Sequence, residues 1–537
     1  MIRFHALTAF LAGAGVLVVE MTATRELAPF FGQSQYVWAN VIGLILLGLA
    51  LGNALGGWLA DKTRSSALLG ALLVAAACLV AASPFLAAPT ARWLLPQALP
   101  LEAAYPYLFK GSFVVTLVCF VPPVLLLGAV PPFLVRCATR RIEDVGRRAG
   151  LLYAASTLGS IAGTFLTTHV LLPELGTRGT LLLAGTLLAA AAVPEFLAAR
   201  AEGGSARRTA LLLVVAVAAA GTGALAARTP SLREAVSGAA LGRLVVASES
   251  RYQHLEVRER DDLPVPARVL AIDEGHDSVQ SVTPDEGVLT GGLYYDYFTL
   301  LALELAGRGR LRVAILGFGA GTHARQLLAL VGPRCDLSIV GVELDPAVID
   351  LAHRELGLPS DPRLRIHVDL DARTFVDHSG ELFDLVLVDC YNRQSFLPPH
   401  VSSLEFFRSA RERLADGGVL ALNLFGYGAR DPVVEAVNRT LAAALDSEIA
   451  VCSLPRTANF LVYGVPAGEL RLPASWATEG WPTECREPAR RLAAPAQAFR
   501  FRPGREGPLL TDDSGELDRL QLDRLRRRAA LLLRGVR

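Results

Sequence analysis

Scarcities narrow the reading of this 537-residue chain before any motif is considered. Its seven cysteines, Cys78, Cys119, Cys137, Cys335, Cys390, Cys452 and Cys485, include no C-x-x-C pair, so neither a zinc site nor a disulfide framework is indicated. Charged residues make up only 19% and leave a net charge of +1, which removes the electrostatic reason to expect a nucleic-acid partner. A cleavable leader is not expected either. The first apolar run carries Glu20, Arg25 and Glu26, and further runs of the same kind follow it.

Apolar residues are abundant: 52% are AVILMFWYC, and the mean hydropathy is +0.39. They are unevenly spread. Residues 1–228 are strongly apolar and most carboxylates lie beyond them, in a chain too long for one ordinary domain. Runs of about 20 apolar residues, the length that crosses a bilayer, occur near 6–28, 36–60, 66–89, 111–135, 149–172, 178–199 and 209–227. The expectation is an all-α transmembrane bundle of about seven spans over 1–228. Small residues such as Gly48, Gly52, Gly56 and Gly57 allow its helices to approach closely. Pro122, Pro123, Pro131 and Pro132 should kink or break the fourth span. Glu20, Arg25 and Glu26 are costly in hydrocarbon and must face protein, water or one another.

Loop charges give an orientation. Lys62, Arg64, Arg136, Arg140, Arg141, Arg147, Arg148, Arg200, Arg207 and Arg208 fall in one set of loops, against Arg92, Lys110 and Arg178 in the other. Basic loops stay in the cytoplasm, so the N-terminus is inside, and seven spans place everything after 228 outside. The expected location is a multi-pass protein of a bacterial inner membrane. Either one span is miscounted or the soluble domain faces outward, and the side stays open at this point.

The soluble part is organised around residues 311–345. An apolar run, Val313 to Leu316, breaks into Gly317-Phe318-Gly319-Ala320-Gly321; a helix-like stretch and a second apolar run, Leu337 to Val342, follow and end in Glu343. Strand, glycine turn, helix, strand and acid is the opening of a Rossmann-like nucleotide-binding sheet. A carboxylate ending the second strand can accept both hydroxyls of a ribose. The G-x-G-x-G spacing suits an S-adenosyl ligand better than a dinucleotide. Alternating segments over 244–283 predict a small β layer, and 293–305 an aromatic-rich helix. Further strands are expected at 365–368, 385–388, 419–424 and 460–464, with helices at 346–356, 402–415 and 432–446, giving a mostly parallel sheet. The predicted boundaries are 229–300 for the β layer, 301–470 for the S-adenosyl-binding domain and 471–537 for a C-terminal extension. That extension ends in a basic, Leu-interleaved amphipathic helix.

Ligands of such sheets bind beyond the carboxyl ends of the strands. Glu343 and Asp345 stand at the second of these ends, Asp371 at the third and Asp389 at the fourth. A strand-end Asp is often only a helix cap, but acids at successive strand ends point to a site. A carboxylate there can take a proton from an amine nucleophile or face a sulfonium.

These stretches resemble the spermidine synthase (polyamine aminopropyltransferase) family in its form fused to an N-terminal membrane bundle. Ser250-Arg251-Tyr252-Gln253 resembles its S-x-Y-Q, and Asp273-Glu274-Gly275 with Gln280 its L-D-G…Q stretch. Tyr294-Tyr295-Asp296 resembles Y-x-E, which implies Tyr294 and Asp296 at the amine pocket. By the same resemblance Gln253, Gly317, Gly319, Gly321, Glu343, Asp345, Asp371 and Ala372 bind the S-adenosyl moiety, with Glu343 on the ribose and the Asp371-Ala372 pair at the adenine. Asp389, with Tyr294, is implied as catalytic, Asp389 acting as general base; Thr511-Asp512-Asp513 resembles the T-D-D close of the fused group.

Departures are equally specific. The turn G-F-G-A-G lacks the acid of G-G-G-D-G, and D-S-x-D-P reads Asp389-Cys390-Tyr391-Asn392-Arg393, so Asn392 replaces the second acid. Arg393 adds positive charge where a polyamine would sit, which is unfavourable for a cationic acceptor and suited to the carboxylate of intact S-adenosylmethionine. Three readings follow. One is a membrane-anchored transferase using decarboxylated S-adenosylmethionine and releasing 5′-methylthioadenosine. Another acts on S-adenosylmethionine itself, by methyl transfer or cleavage. The third is a transporter whose soluble domain senses the nucleoside. The partners implied are the lipid bilayer and a small-molecule amine or S-adenosyl substrate, with no metal; a homodimer stays open.

Overall fold

The computed structural model of the chain describes residues 2–31, 35–63, 65–94, 105–139, 141–201, 242–272, 279–391, 396–466, 469–495, 497–502, 507–514, 516–521 and 523–524. The expected seventh span, 209–227, lies outside the described residues, as do Asp273, Glu274, Gly275, Asn392, Arg393 and most of the basic tail. The described residues fall into two compact units: a helical one, to which segment 249–253 belongs, and an α/β one.

The helical unit is built from α1 (Ile2–Phe31), α2 (Gln35–Lys62), α3 (Ser66–Leu94), α4 (Tyr105–Val115), α5 (Val121–Ala138), α6 (Val145–Leu166) and α7 (Leu172–Ala201). Among the described residues, six helical stretches are long and apolar enough to cross a membrane, as expected of a multi-pass membrane protein. Helix α1 packs on α6 and α7, α2 on α5, and α3 on α7. Glycine makes these approaches possible: a Cβ on Gly159 would lie 1.9 Å from the Phe10 carbonyl oxygen, and one on Gly52 2.2 Å from that of Leu125. Leu46, Leu51, Trp58, Leu158 and Phe165 remain exposed on the outer faces, as lipid-facing positions require. The expected break in the fourth span is a π-helical turn, Thr116–Phe120, which leads into Pro122 and Pro123 at the start of α5. There the missing proline N–H groups cost least. Pro131 and Pro132 are accommodated inside α5. Arg25 donates to the carbonyl oxygens of Ser250 and Arg251 at 3.0 and 2.6 Å, and Glu26 is buried. Buried Glu195 receives Thr8 Oγ1 and contacts His5 Nδ1, each at 3.2 Å.

The α/β unit begins with a four-stranded sheet in the order β1 (Arg243–Glu249), β2 (His254–Arg260), β3 (Ala267–Ile272), β4 (Ser281–Pro284), antiparallel through β2, β3 and β4. Then come α8 (Tyr294–Ala306), β5 (Arg310–Leu316), α9 (Thr322–Gln326), β6 (Asp336–Glu343), α10 (Pro346–Glu355), β7 (Leu364–Val368), α11 (Ala372–His378) and β8 (Phe383–Val388). The chain continues through α12 (Leu404–Glu412), β9 (Leu414–Phe425), α13 (Pro432–Leu445), β10 (Ile449–Ser453), β11 (Asn459–Gly464), α14 (Thr483–Leu492) and β12 (Ala498–Phe501). The second sheet has the order β12-β10-β11-β9-β8-β5-β6-β7. Its β9-β8-β5-β6-β7 portion is parallel, whereas β11, β10 and β12 pair antiparallel. This is a Rossmann-like, class I methyltransferase-like sheet, less uniformly parallel than the sequence suggested. Strands β10 and β12 carried no expectation because IAVCS and AFRF are too short to show a period.

Alternation buries both faces of the central strands. Val313 and Ile315 enter one core with α8, α9 and α10, while Ala314 and Leu316 enter the other with α11, α12 and α13. Strands therefore end, and helices begin, along one edge. There Asp345, Asp371, Ser403 and Asp431 accept from backbone N–H groups at the starts of α10, α11, α12 and α13.

Candidate active site

The glycine turn leaves β5 with Gly317, Gly319 and Gly321 all at positive φ. A Cβ on Gly317 would sit 2.4 Å from the Asp389 carbonyl oxygen, so this glycine lets the ends of β5 and β8 touch. Phe318 is buried with its ring against Gly341 of β6, where a Cβ would clash at 2.3 Å. The bulky second residue of G-F-G-A-G is thus absorbed by the core. Buried Ala320 donates its N–H to Ser281 Oγ at 2.9 Å.

Glu343 follows at the end of β6. Its carboxylate accepts from Gly319 N at 2.8 Å and from Asp345 N at 3.0 Å. Burial pushes its carboxyl above the usual range, against those backbone hydrogen bonds. Asp345 and Asp371 act as helix caps: Asp345 accepts from Ala347 N, and Asp371 Oδ1 from Arg373 N and Thr374 N. Asp371 Oδ2 contacts His400 Nε2 at 3.1 Å, which is the main reason its carboxyl lies below the usual range. Ala372 is the buried first residue of α11. Arg373 behind this cap forms a two-pronged pair with Asp512 of the T-D-D stretch, both contacts at 2.8 Å.

Asp389, at the end of β8, is held by side chains from three other elements. Its Oδ2 accepts from the Tyr294 hydroxyl at 3.0 Å and contacts His323 Nε2 at 3.3 Å; its Oδ1 accepts from Asn423 Nδ2 at 2.8 Å. Asn423 in turn accepts from Asn459 Nδ2 at 2.9 Å, and Tyr391 bridges the Asn423 carbonyl and Phe425 N. Tyr294 stacks on Tyr295 with ring centroids 3.9 Å apart, and burial, then the charge of Asp389, keeps its phenol well above its ordinary range. The Cys390 thiol is likewise raised, by burial first and then by the carboxylates of Asp389, Glu343 and Asp371. The three strand ends therefore converge. Gly317, Gly319, Glu343, Asp389 and Cys390 keep part of their surface open beyond the buried C-terminal halves of these strands.

The acid expected at the amine pocket is engaged elsewhere. Asp296 is buried, and its carboxylate accepts from Thr290 N, Thr290 Oγ1, Gly292 N and Gln326 Nε2. Those donors occupy both oxygens, so Asp296 ties the 290–292 turn to α8 and α9 instead of presenting a free charge. Gln253 closes a turn in which its carbonyl accepts from Ser250 N and Oγ. Asn392 and Arg393 lie outside the described residues.

Comparison with known proteins decides the family. The chain is 32% identical over 221 residues to a probable polyamine aminopropyl transferase of Bifidobacterium longum, covering 40% of this chain and 46% of that one. It is 31% identical over 383 residues to the polyamine aminopropyltransferase of Mycobacterium tuberculosis, covering 66% of this chain and 67% of that one. The chain belongs to the polyamine aminopropyltransferase family. The spermidine synthase crystal structure from Thermotoga maritima aligns with 47% of this chain and 84% of that one, at 17% identity and a TM-score of 0.36. No family model matches.

Within this aminopropyltransferase fold, three polar residues around Asp389 escaped the sequence reading: His323, Asn423 and Asn459. Asn423 alone carried a signal, as a polar residue inside the apolar run Val419 to Leu424. His323 gave none, because a His in the first turn after a glycine loop is unremarkable without knowledge of what faces it.

Proposed function

We propose that this family member is a membrane-anchored transferase that moves the aminopropyl group of an S-adenosyl sulfonium donor to an amine. The amine nitrogen attacks the carbon bound to sulfur, and the C–S bond breaks with its electron pair going to sulfur. 5′-Methylthioadenosine leaves, and the surplus ammonium proton passes to Asp389. Glu343 accepts the ribose hydroxyls, Gly317, Gly319 and Gly321 give the donor backbone access, and Asp371 and Ala372 flank the adenine. The observation carrying this reading is the Asp389 carboxylate, held by Tyr294 and Asn423 at the β8 end beside the strand ends of Glu343 and Asp371. The site is made of carboxylates and backbone N–H groups, which suits a cationic, hydroxyl-bearing donor.

A second reading takes intact S-adenosylmethionine, by methyl transfer or cleavage. It is favoured by buried Ala320 in place of an acid, and by Asn392 and Arg393 in the sequence. Incubating the purified full chain with each donor, with and without amines, and separating the products distinguishes them. Amine-dependent 5′-methylthioadenosine from the decarboxylated donor alone supports the first; turnover only with intact S-adenosylmethionine supports the second. Consumption of neither refutes both and leaves the nucleoside-sensing reading. For the soluble domain we propose the side opposite the basic loops, outside the cytoplasm.

A further inference from the structure

His323 sits in the first turn of α9, two residues past the last glycine of the turn, with its ring 3% exposed. Tyr294, Tyr295 and Phe298 surround that ring at centroid distances of 6.0, 5.1 and 5.3 Å. Packing alone would be served by a phenylalanine. Instead the histidine holds Nε2 against Asp389 Oδ2 and leaves Nδ1 buried with no partner among the described residues. Burying an unpaired nitrogen is unfavourable, so the ring is there for its other nitrogen.

We infer that His323 is a positioning residue that fixes which lone pair of Asp389 receives the substrate proton. An ionised carboxylate offers about four acceptor directions. The Tyr294 hydroxyl and the His323 Nε2–H take both on Oδ2, and Asn423 takes one on Oδ1. One direction remains, on Oδ1, and it is the one the amine N–H must meet. Facing an anion, His323 carries its proton on Nε2. With Nε2–H absent, Tyr294 and Asn423 still hold the two oxygens, but a second acceptor direction opens on Oδ2, and the amine proton no longer has a single lone pair to meet. Reach and orientation of this kind govern proton transfer more than binding does.

This role rests on the proposed transferase reading, and the test separates the two. His323→Phe keeps a ring in the aromatic cage and removes the N–H; His323→Gln offers an amide N–H to the same oxygen. In the full-length protein, with the donor and acceptor that support turnover, His323→Phe should lower kcat by about 10- to 100-fold. KM for the donor and calorimetric affinity for 5′-methylthioadenosine should stay within about twofold, because Asp389 aims a proton and does not hold the nucleoside. His323→Gln should recover most of the loss. Wild-type kcat in His323→Phe overturns the inference while leaving the transferase reading intact. So does a fall in nucleoside affinity that matches the fall in kcat, since that marks a structural defect. A wild-type protein that consumes no S-adenosyl donor overturns both.

Discussion

Replacing Asp389 by asparagine removes one negative charge and little else. The amide can be seated by the existing network. Its carbonyl at the Oδ1 position keeps the Asn423 donor at 2.8 Å. Its NH2 at the Oδ2 position meets the Tyr294 hydroxyl, which can turn to accept, and His323, which can shift its proton to the unpartnered Nδ1. Hydrogen bonds to an ionised group contribute about 1.5–3 kcal/mol and neutral ones about 1. Three weakened contacts are offset by relief of a part-buried charge. The net change in stability should be about 1 kcal/mol, a shift of about 2–4 °C in Tm for a unit of this size. Proton transfer has no such compensation, because an amide cannot take a proton at neutral pH. Turnover should therefore fall by about 10²–10⁴-fold. The assay is single-turnover release of 5′-methylthioadenosine, alongside calorimetric binding of that product and a thermal melt. A variant that binds, melts as expected and turns over at the wild-type rate refutes the proton-accepting role of Asp389.

Glu343→Ala should weaken 5′-methylthioadenosine binding by tenfold or more, since it removes the proposed ribose acceptor and unpairs Gly319 N and Asp345 N; unchanged affinity in calorimetry would refute the ribose assignment. Acid should loosen the β layer through Glu256. Burial opposes ionisation of this side chain, but hydrogen bonds from His254 and Arg258 outweigh it and hold the carboxyl down to about 2, from 4.5. A lowered carboxyl contributes stability above its unfolded value, so up to about 3 kcal/mol should be lost as the pH falls from 4.5 towards 2. In acid melts Glu256→Gln should flatten that decline, and a variant declining as steeply as the wild type would disprove it. A reporter fused after Arg537 should be active only outside the cytoplasm; activity only in the cytosol would mean that the count of seven spans misses one.

Local chemistry made part of this protein legible in one dimension. Spans are long apolar runs because a bilayer demands them, and six appear as helices where the sequence placed them. Gly317 to Gly321 and Glu343 could be read because a strand must end where its apolar run ends, and the residues just beyond set the turn. The helix caps Asp345 and Asp371 obey the same short-range rule. What surrounds Asp389 could not be read this way. Tyr294, His323 and Asn423 lie 95, 66 and 34 residues from it in the chain. They meet only because β8 lies between β5 and β9 in the sheet, with α8 packed on β5 and α9 packed on α8. Nor could the sequence say that Phe318 would fold inward over Gly341, or that Asp296 would be consumed by its own turn. Periodicity reports which face of a strand is buried, whereas strand order and the partners of a polar group depend on packing between distant segments. Here the sequence by itself determined six of the long apolar helices, the glycine turn and the acids at the strand ends, and the tertiary structure alone decided which side chains hold Asp389.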